Sequence, residues 1–301
     1  MRQTRGVALI QALVIVAAIA AVATALLLRG DVARQRLQTR FLADQAALYL
    51  DSGAEMIVSM LAQLPAGSVT HRGQDWARTR EGIEIDRGVL AWRIDDQQSR
   101  FNVNTLYGPD PQHQDAREAF VQLATGQGLN RVIARRLADA LGEDVAARTE
   151  AAGGVPIPWP LADPRQLAGI AASQPAAFAD LLTLVAARPP QSPLNINTAH
   201  PVVLAAMLPQ VPSTARRAVA RYLDRDPAAS KEALIEWIDQ AFNTTVAAHY
   251  DALEFTTGST LFEAQLEVRV DSLTLRRSVV LNRDAAPEQG AIVLSRPEPE
   301  P

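Results

Sequence analysis

The sequence predicts an α+β protein in which a long N-terminal helix lies on a small antiparallel sheet and a large all-α insert interrupts that sheet. Three observations carry the prediction. An uncharged run at Val7–Leu28 passes into a one-sided helical pattern that stops at Pro65. Period-2 segments occur at Ile83–Ile94 and again at Leu261–Leu281. Between them lies a long stretch rich in Ala, Leu, Arg and Pro. Apolar residues at spacings of three and four place one stripe on a helix, and strict alternation places one face of a strand inward.

The first element is the helix. From Val7 to Leu28 only Gln11 and Thr24 are polar. At about 1.5 Å per residue this run spans a hydrocarbon core of about 30 Å. Arg2 and Arg5 favour a cytoplasmic N-terminus. Three readings compete. One is a secretory signal cut after Ala23-Thr24-Ala25, but the run exceeds the usual h-region of roughly 7–15 residues. Another is an uncleaved signal anchor. The third is a basic leader ending at Gly6, followed by a helix that continues beyond the membrane. Ala43, Ala47, Leu50, Ala54, Ile57, Leu61 and Leu64 alternate in steps of four and three. Only Gly30 and Gly53 weaken the helix before Pro65 ends it. That continuity favours the third reading, and the same stripe is the candidate surface for assembly with other chains.

The strands follow. Ile83 and Ile85 alternate with Glu84 and Asp86, and Leu90, Trp92 and Ile94 alternate with Ala91, Arg93 and Asp95 across a turn at Arg87-Gly88. Phe262, Ala264, Leu266, Val268 and Val270 form one face of a second hairpin, continued after Asp271-Ser272 by Leu273, Leu275, Val279 and Leu281. Helices are expected at Gln114–Thr125, Asn130–Leu141, Asp163–Ala172, Ala176–Ala187, Pro201–Met207, Ser213–Leu223 and Lys231–Gln240, each bounded by Pro, Gly, Asp or Ser. Three prolines make Gly153–Pro160 an extended loop, and the tail Pro287–Pro301 is expected to be disordered.

Composition limits the chemistry. The chain has 301 residues, 48% of them hydrophobic, enough for sizeable cores. A net charge of −4 gives no global attraction to nucleic acid. The absence of cysteine excludes disulfides, thiolate metal sites and a Cys nucleophile. His71, His113, His200 and His249 are far apart, and no nucleophile elbow, phosphate loop or dinucleotide fingerprint occurs. Gly126-Gln127-Gly128 lacks a phosphate-loop lysine and reads as a break between helices. No enzyme is expected. No cofactor is expected either, although Asp95, Asp96, Asp110 and Asp115 cluster in sequence and could attract calcium. Trp76, Trp92, Trp159 and Trp237 read as core or interface residues.

The leader, the helix and the later segments together resemble the K-type minor pseudopilins of bacterial type II secretion. The resemblance implies a pilin-like fold with a leader at 1–6, a transmembrane part at 7–28 and a periplasmic helix at 29–64. It also implies a core at 65–104 and 255–284, a helical insert at 105–254 and a tail at 285–301. A prepilin peptidase would cut between Gly6 and Val7 and methylate Val7. Most pilins have Phe where this chain has Val7, and Glu where it has Gln11. K-type subunits lack that Glu. A buried carboxylate without a partner is costly in a bilayer or fibre, so a neutral Gln11 suits a subunit with nothing above it. The implied setting is the bacterial inner membrane, crossed once, with the bulk of the chain in the periplasm. The implied role is to cap the pseudopilus and help start its assembly with I- and J-type minor pseudopilins.

A repeated motif completes the reading. Phe101–Leu106 (FNVNTL) nearly matches Leu194–Ala199 (LNINTA). Asn102, Asn104 and Thr105, and Asn195, Asn197 and Thr198, read as turn-and-cap devices that hold the insert. The stretch Pro193–Pro212 also resembles the opening of helix-hairpin-helix DNA-binding domains, and the alternative function is a membrane-anchored periplasmic DNA-binding protein for DNA uptake. That hairpin needs glycines to bring backbone N–H groups to a phosphate. Here Leu208-Pro209-Gln210-Val211-Pro212 has none, so no nucleic-acid partner is expected. Arg216, Arg217, Arg221 and Arg225 either pair with Asp224, Asp226 and Glu232 or form a solvated face.

Overall fold

The computed structural model describes residues 3–65, 67–107, 111–142, 160–209, 211–243, 255–283 and 292–295, with backbone alone along 3–12, 111–114, 213 and 292–295. Helix α1 runs Gln3–Ala62 without interruption. No proline breaks its hydrogen-bond ladder, and Pro65 prevents its extension. Ala46, Leu50, Ala54, Ile57 and Leu61 are buried along one face, where the helix lies on the sheet. Gly53, expected to be a weak point, instead permits close approach. A Cβ there would stand 2.8 Å from Leu266 and 3.2 Å from Leu90.

The sheet has strand order β1-β2-β7-β8-β9 and is antiparallel throughout, with β1 at Arg80–Ile85, β2 at Gly88–Asp96, β7 at Leu261–Val270, β8 at Leu273–Asn282 and β9 at Ile292–Ser295. Register brings apolar residues opposite one another: Leu90 faces Val268, Trp92 faces Leu266, and Ala264 faces Val279. This is the inward face that the alternation predicted, and the helix covers it. Phe262 is fully buried there, edge-on to Trp76 at 5.1 Å.

Three features of the sheet differ from expectation. The first hairpin turns at Asp86-Arg87, not at Arg87-Gly88: Arg87 carries the positive φ of 63°, and Gly88 already pairs with Val270. Gly88 serves close strand approach, since a Cβ would fall 1.9 Å from the Arg269 carbonyl oxygen. Gly88→Ala is therefore expected to cost about 3 kcal/mol or more, read as a lower urea midpoint, because backbone on both strands must shift. The inward face of β8 includes Arg277, which donates to Asp51 of α1 at 2.6 Å. A cation among apolar neighbours persists because the helix supplies its counter-charge. The tail contains β9, whose backbone pairs with β8 and so covers what would be that strand's open edge. Residues 284–291 and 296–301 lie outside the described residues, as does the Gly153–Pro160 loop except for Pro160.

The insert forms its own core from Phe101 to Ile238. Its helices are α2 Pro111–Gly126, α3 Arg131–Ala140, α4 Pro175–Leu182, α5 Pro201–Met207, α6 Ser213–Arg225 and α7 Lys231–Phe242. The helix expected at Asp163–Ala172 shrinks to a 3₁₀ turn, Pro164–Leu167, capped by Asp163 with a reciprocal Gln166 bond. The helix expected to reach Ala187 stops at Leu182, because Val185–Ala186 (β4) leaves to pair in parallel with Phe101–Asn102 (β3). Gly128, at φ 91°, separates α2 from α3 as expected.

Candidate assembly helix and insert junction

Beyond the membrane-length run, α1 presents two opposite surfaces. Leu48 and Leu50 are two residues apart, about 200° round the helix. Leu50 is 0% exposed and Leu48 is 65% exposed. The predicted stripe therefore belongs to the chain's own core. Leu50, Ala54, Ile57 and Leu61 are buried against the sheet, while Ala43 and Ala47 are half-buried at its lower margin. Assigning those buried residues to contacts with other chains is corrected by this packing: the sheet already covers them. The surface left open is a ridge of Leu37, Phe41 and Leu48, at spacings of four and seven, which keeps them on one side.

Below the ridge, Leu13, Ile15, Val16, Ile19, Val22 and Leu26 are all exposed. Among the described residues α1 is the helix long and apolar enough to cross a membrane, with a mean hydropathy of 2.3 in its apolar window. Gly6, Val7 and Gln11 lie on its helical backbone, and their side chains fall outside the described residues.

The second site is the junction between sheet and insert, where the two Asn motifs act alike. In each copy the first Asn accepts from the N–H two residues on, Asn102 from Asn104 and Asn195 from Asn197. The threonine turns back onto the first Asn's carbonyl, from Thr105 at 2.7 Å and from Thr198 at 3.5 Å. The second Asn grips one distant residue by both its backbone groups. Asn104 accepts from Leu161 N–H at 2.8 Å and donates to Leu161 C=O at 2.9 Å. Asn197 accepts from Ala228 N–H at 2.8 Å and donates to Ala228 C=O at 3.0 Å. Each gripped residue stands two positions before an N-cap, Asp163 or Ser230. Each copy also opens with a short strand that pairs in parallel with a later one: β3 with β4, and β5 (Leu194–Asn195) with β6 (Phe255–Thr256). The insert is thus two structural repeats, each closed by its own Asn clamp.

The second clamp also fastens the insert to the sheet, through a residue whose role sequence reasoning missed. Asp96 ends β2 fully buried. Its carboxylate accepts from Ser259 Oγ at 2.5 Å, from Asn195 Nδ2 at 3.3 Å, from Thr198 Oγ1, and from Gln98 N–H at 2.7 Å. Asn195 reaches on to the Thr70 carbonyl at 3.0 Å. The signal was available: Asp96 shares the parity of Leu90, Trp92 and Ile94, so alternation points it inward. Asp95, the neighbour grouped with it as a calcium candidate, points outward to Arg93 at 2.9 Å. Asp115 lies exposed on α2, and Asp110 is outside the described residues. Among the described residues no three His, Asp or Glu side chains converge on a metal-sized site.

Burial raises the Asp96 pKa above its ordinary 3.8, against the opposing hydrogen bonds of Ser259, Thr198 and Gln98 and the charge of Arg188. Between 3.8 and that raised value the folded chain holds more protons than the unfolded chain. Stability from this group therefore falls as pH rises through the window. The stability difference between wild type and Asp96→Asn is expected to shrink from acid toward neutral pH in urea melts. A gap that widens with pH would overturn the assignment.

The remaining candidates resolve simply. Arg216 donates to the Ala205 carbonyl at 2.8 Å, tying α6 to α5. Arg217, Arg221 and Arg225 are exposed, and among the described residues none pairs with Asp224, Asp226 or Glu232, so they form a solvated face. Leu208 and Val211 of the α5–α6 turn are buried, which makes the stretch a packing element. Trp76 and Trp92 are core, Trp237 stacks on Tyr222 at 4.1 Å, and Trp159 lies outside the described residues.

A long helix, open and apolar first and then laid on an antiparallel sheet, defines a pilin-like α+β protein, here carrying a twofold helical insert. Relatives narrow the class. No protein-family model matches the chain. It is 29% identical to the type II secretion system protein K of Pseudomonas aeruginosa over 305 residues, covering 93% of this chain and 88% of that protein. It is 27% identical to the corresponding Klebsiella pneumoniae protein over 231 residues, covering 68% and 70% respectively. Its fold matches a chain in the crystal structure of the GspK-GspI-GspJ complex from the enterotoxigenic Escherichia coli type 2 secretion system. The TM-score is 0.67 at 21% identity, covering 88% of this chain and 99% of that one. The chain is thus similar in sequence to two type II secretion K proteins and similar in fold to a chain of that complex.

Proposed function

We propose that the protein is a minor pseudopilin of type II secretion, anchored by α1 in the inner membrane and standing at the tip of the periplasmic pseudopilus. There it helps start fibre assembly with I- and J-type subunits. The observation that carries the reading is the open ridge Leu37, Phe41 and Leu48 on a helix whose other face is already covered by its own sheet. An apolar ridge on an extended helix is what a neighbouring helix packs against. Similarity to the Pseudomonas aeruginosa K protein along 93% of the chain supports the assignment. The double-repeat insert favours the tip, since such a mass is hard to fit at every level of a tightly packed fibre. Gln11 fits the same place, because it needs no partner amine above it.

Mass spectrometry of the mature N-terminus, from cells with and without prepilin peptidase, tests the pathway. The expected result is an N-methylated Val7 that depends on the peptidase. A mature chain beginning at Leu26, or an intact Met1, would sink the reading.

A further inference from the structure

The second repeat holds an open groove between α6 and α7, with a volume of about 640 Å³. Its floor is aromatic. Tyr222 stacks on Trp237 at 4.1 Å, with the rings 12° from parallel, and Phe242 meets Trp237 edge-on at 5.8 Å. All three rings are half-buried, so each keeps some surface in the groove. Its wall is charged, because Arg221, Asp224 and Arg225 are exposed and line it. Each arginine folds back along α6, its Nε donating at 3.3 Å to the carbonyl four residues earlier. That bond takes one of the five guanidinium N–H groups. Among the described residues neither arginine is paired with a carboxylate. Trp, Tyr and Arg are the residue types that dominate binding hot spots, and here they share one open groove.

We infer that this groove binds an extended segment of a partner protein in which proline alternates with acidic residues. Its volume lies within the range of clefts that take a small ligand, roughly 300–1,000 Å³, which suits a few residues of extended chain and not the 10–12 Å girth of a helix. Proline segments dock on aromatic-lined grooves because their backbone is already extended and loses little freedom on binding. The charges match in sign and in spacing. Four residues along α6 separate Arg221 from Arg225 by about 6 Å. Two residues along a polyproline helix separate one acid from the next by about 6.2 Å. Asp224 repels a continuous polyanion, so the wall favours spaced acids over phosphates. Tyr222 and Trp237 are also stacked on each other, which leaves fewer ring faces for nucleic-acid bases. Nothing in this site depends on the α1 ridge.

Fluorescence anisotropy of labelled peptides on the detergent-solubilised full chain tests this. The probe is the synthetic peptide PEPEPEP, with PQPQPQP and GEGEGEG as controls for charge and for proline. PEPEPEP should bind, and each control should bind about tenfold more weakly. R221Q/R225Q should raise the PEPEPEP Kd about tenfold, while R34Q/R36Q on α1 should leave it unchanged. Both pairs are exposed, so folding is not at stake. Trp237→Phe, which keeps a ring against Tyr222, should weaken binding less than Trp237→Leu. Failure of PEPEPEP to bind, equal binding of either control, or a Kd indifferent to R221Q/R225Q would overturn the inference. A thymidine oligonucleotide that binds as tightly as PEPEPEP would make the groove a nucleic-acid surface and overturn it too. Residues 296–301 of this chain themselves alternate proline and glutamate. A chain ending at Ser295 should therefore bind PEPEPEP with the same Kd as the full chain. Binding about tenfold tighter after that truncation would show that the chain's own tail occupies the groove, and would overturn the assignment to a partner.

Discussion

Leu50→Asp is expected to unfold the helix–sheet unit, while Leu48→Asp, two residues away, leaves it folded. Leu50 is fully buried among Ala54, Ile57 and the inward face of the sheet. Replacing it removes an apolar side chain and sets a carboxylate among buried apolar neighbours. The cost is about 4 kcal/mol or more, a large share of a domain's stability. Urea denaturation and limited proteolysis of the detergent-solubilised chain would report the loss directly. Leu48 is 65% exposed, so its replacement should shift stability by no more than about 0.5 kcal/mol. Its effect should fall on recovery of partner subunits. A folded Leu50→Asp chain would contradict the packing of α1 on the sheet. A Leu48→Asp chain that keeps all its partners would remove the ridge from the assembly surface.

Asn197→Ala should open the second repeat at Ala228. The substitution strips Ala228 of partners for both its N–H and its C=O, in a place where Ala228 is buried. Each buried polar group left unsatisfied costs about 1–3 kcal/mol, so a loss of roughly 3 kcal/mol is expected. Asn197→Asp gives a sharper comparison. It keeps the acceptor for the N–H but faces the carbonyl with a second acceptor, so it should restore little. The matching substitution Asn104→Ala, which frees Leu161, should destabilise the first repeat by a similar amount. Hydrogen exchange would separate the two cases: amides near Ser230 should lose protection in one variant and amides near Asp163 in the other. Uniform loss across both repeats would argue that the clamps do not act separately.

Much of this fold was legible in the sequence because its signals are local. The period-2 run Phe262–Val270 settled which face turns inward, and the register agrees, with Leu266 opposite Trp92 and Ala264 opposite Ile94. The two Asn-x-Asn-Thr turns were readable as turn devices because Asn and Thr bond their own backbone neighbours. Their second function was not readable. That Asn104 would grip Leu161 and Asn197 would grip Ala228 depends on chain segments 57 and 31 residues away. The helix expected to reach Ala187 failed for a similar reason. Local propensity favours helix there, but a parallel pairing with Phe101–Asn102 satisfies Val185–Ala186 better.

By itself the sequence determined the long helix, its membrane-length apolar run, the inward faces of the main hairpin and the place of the insert. Each is written in periodicity or in proline and glycine punctuation within a short window. Tertiary structure alone decided what the helix stripe is for. A periodic apolar face must be covered, but periodicity does not say by what. The sheet formed by distant β2, β7 and β8 covers Leu50, Ala54, Ile57 and Leu61, and so leaves Leu37, Phe41 and Leu48 exposed on the opposite side.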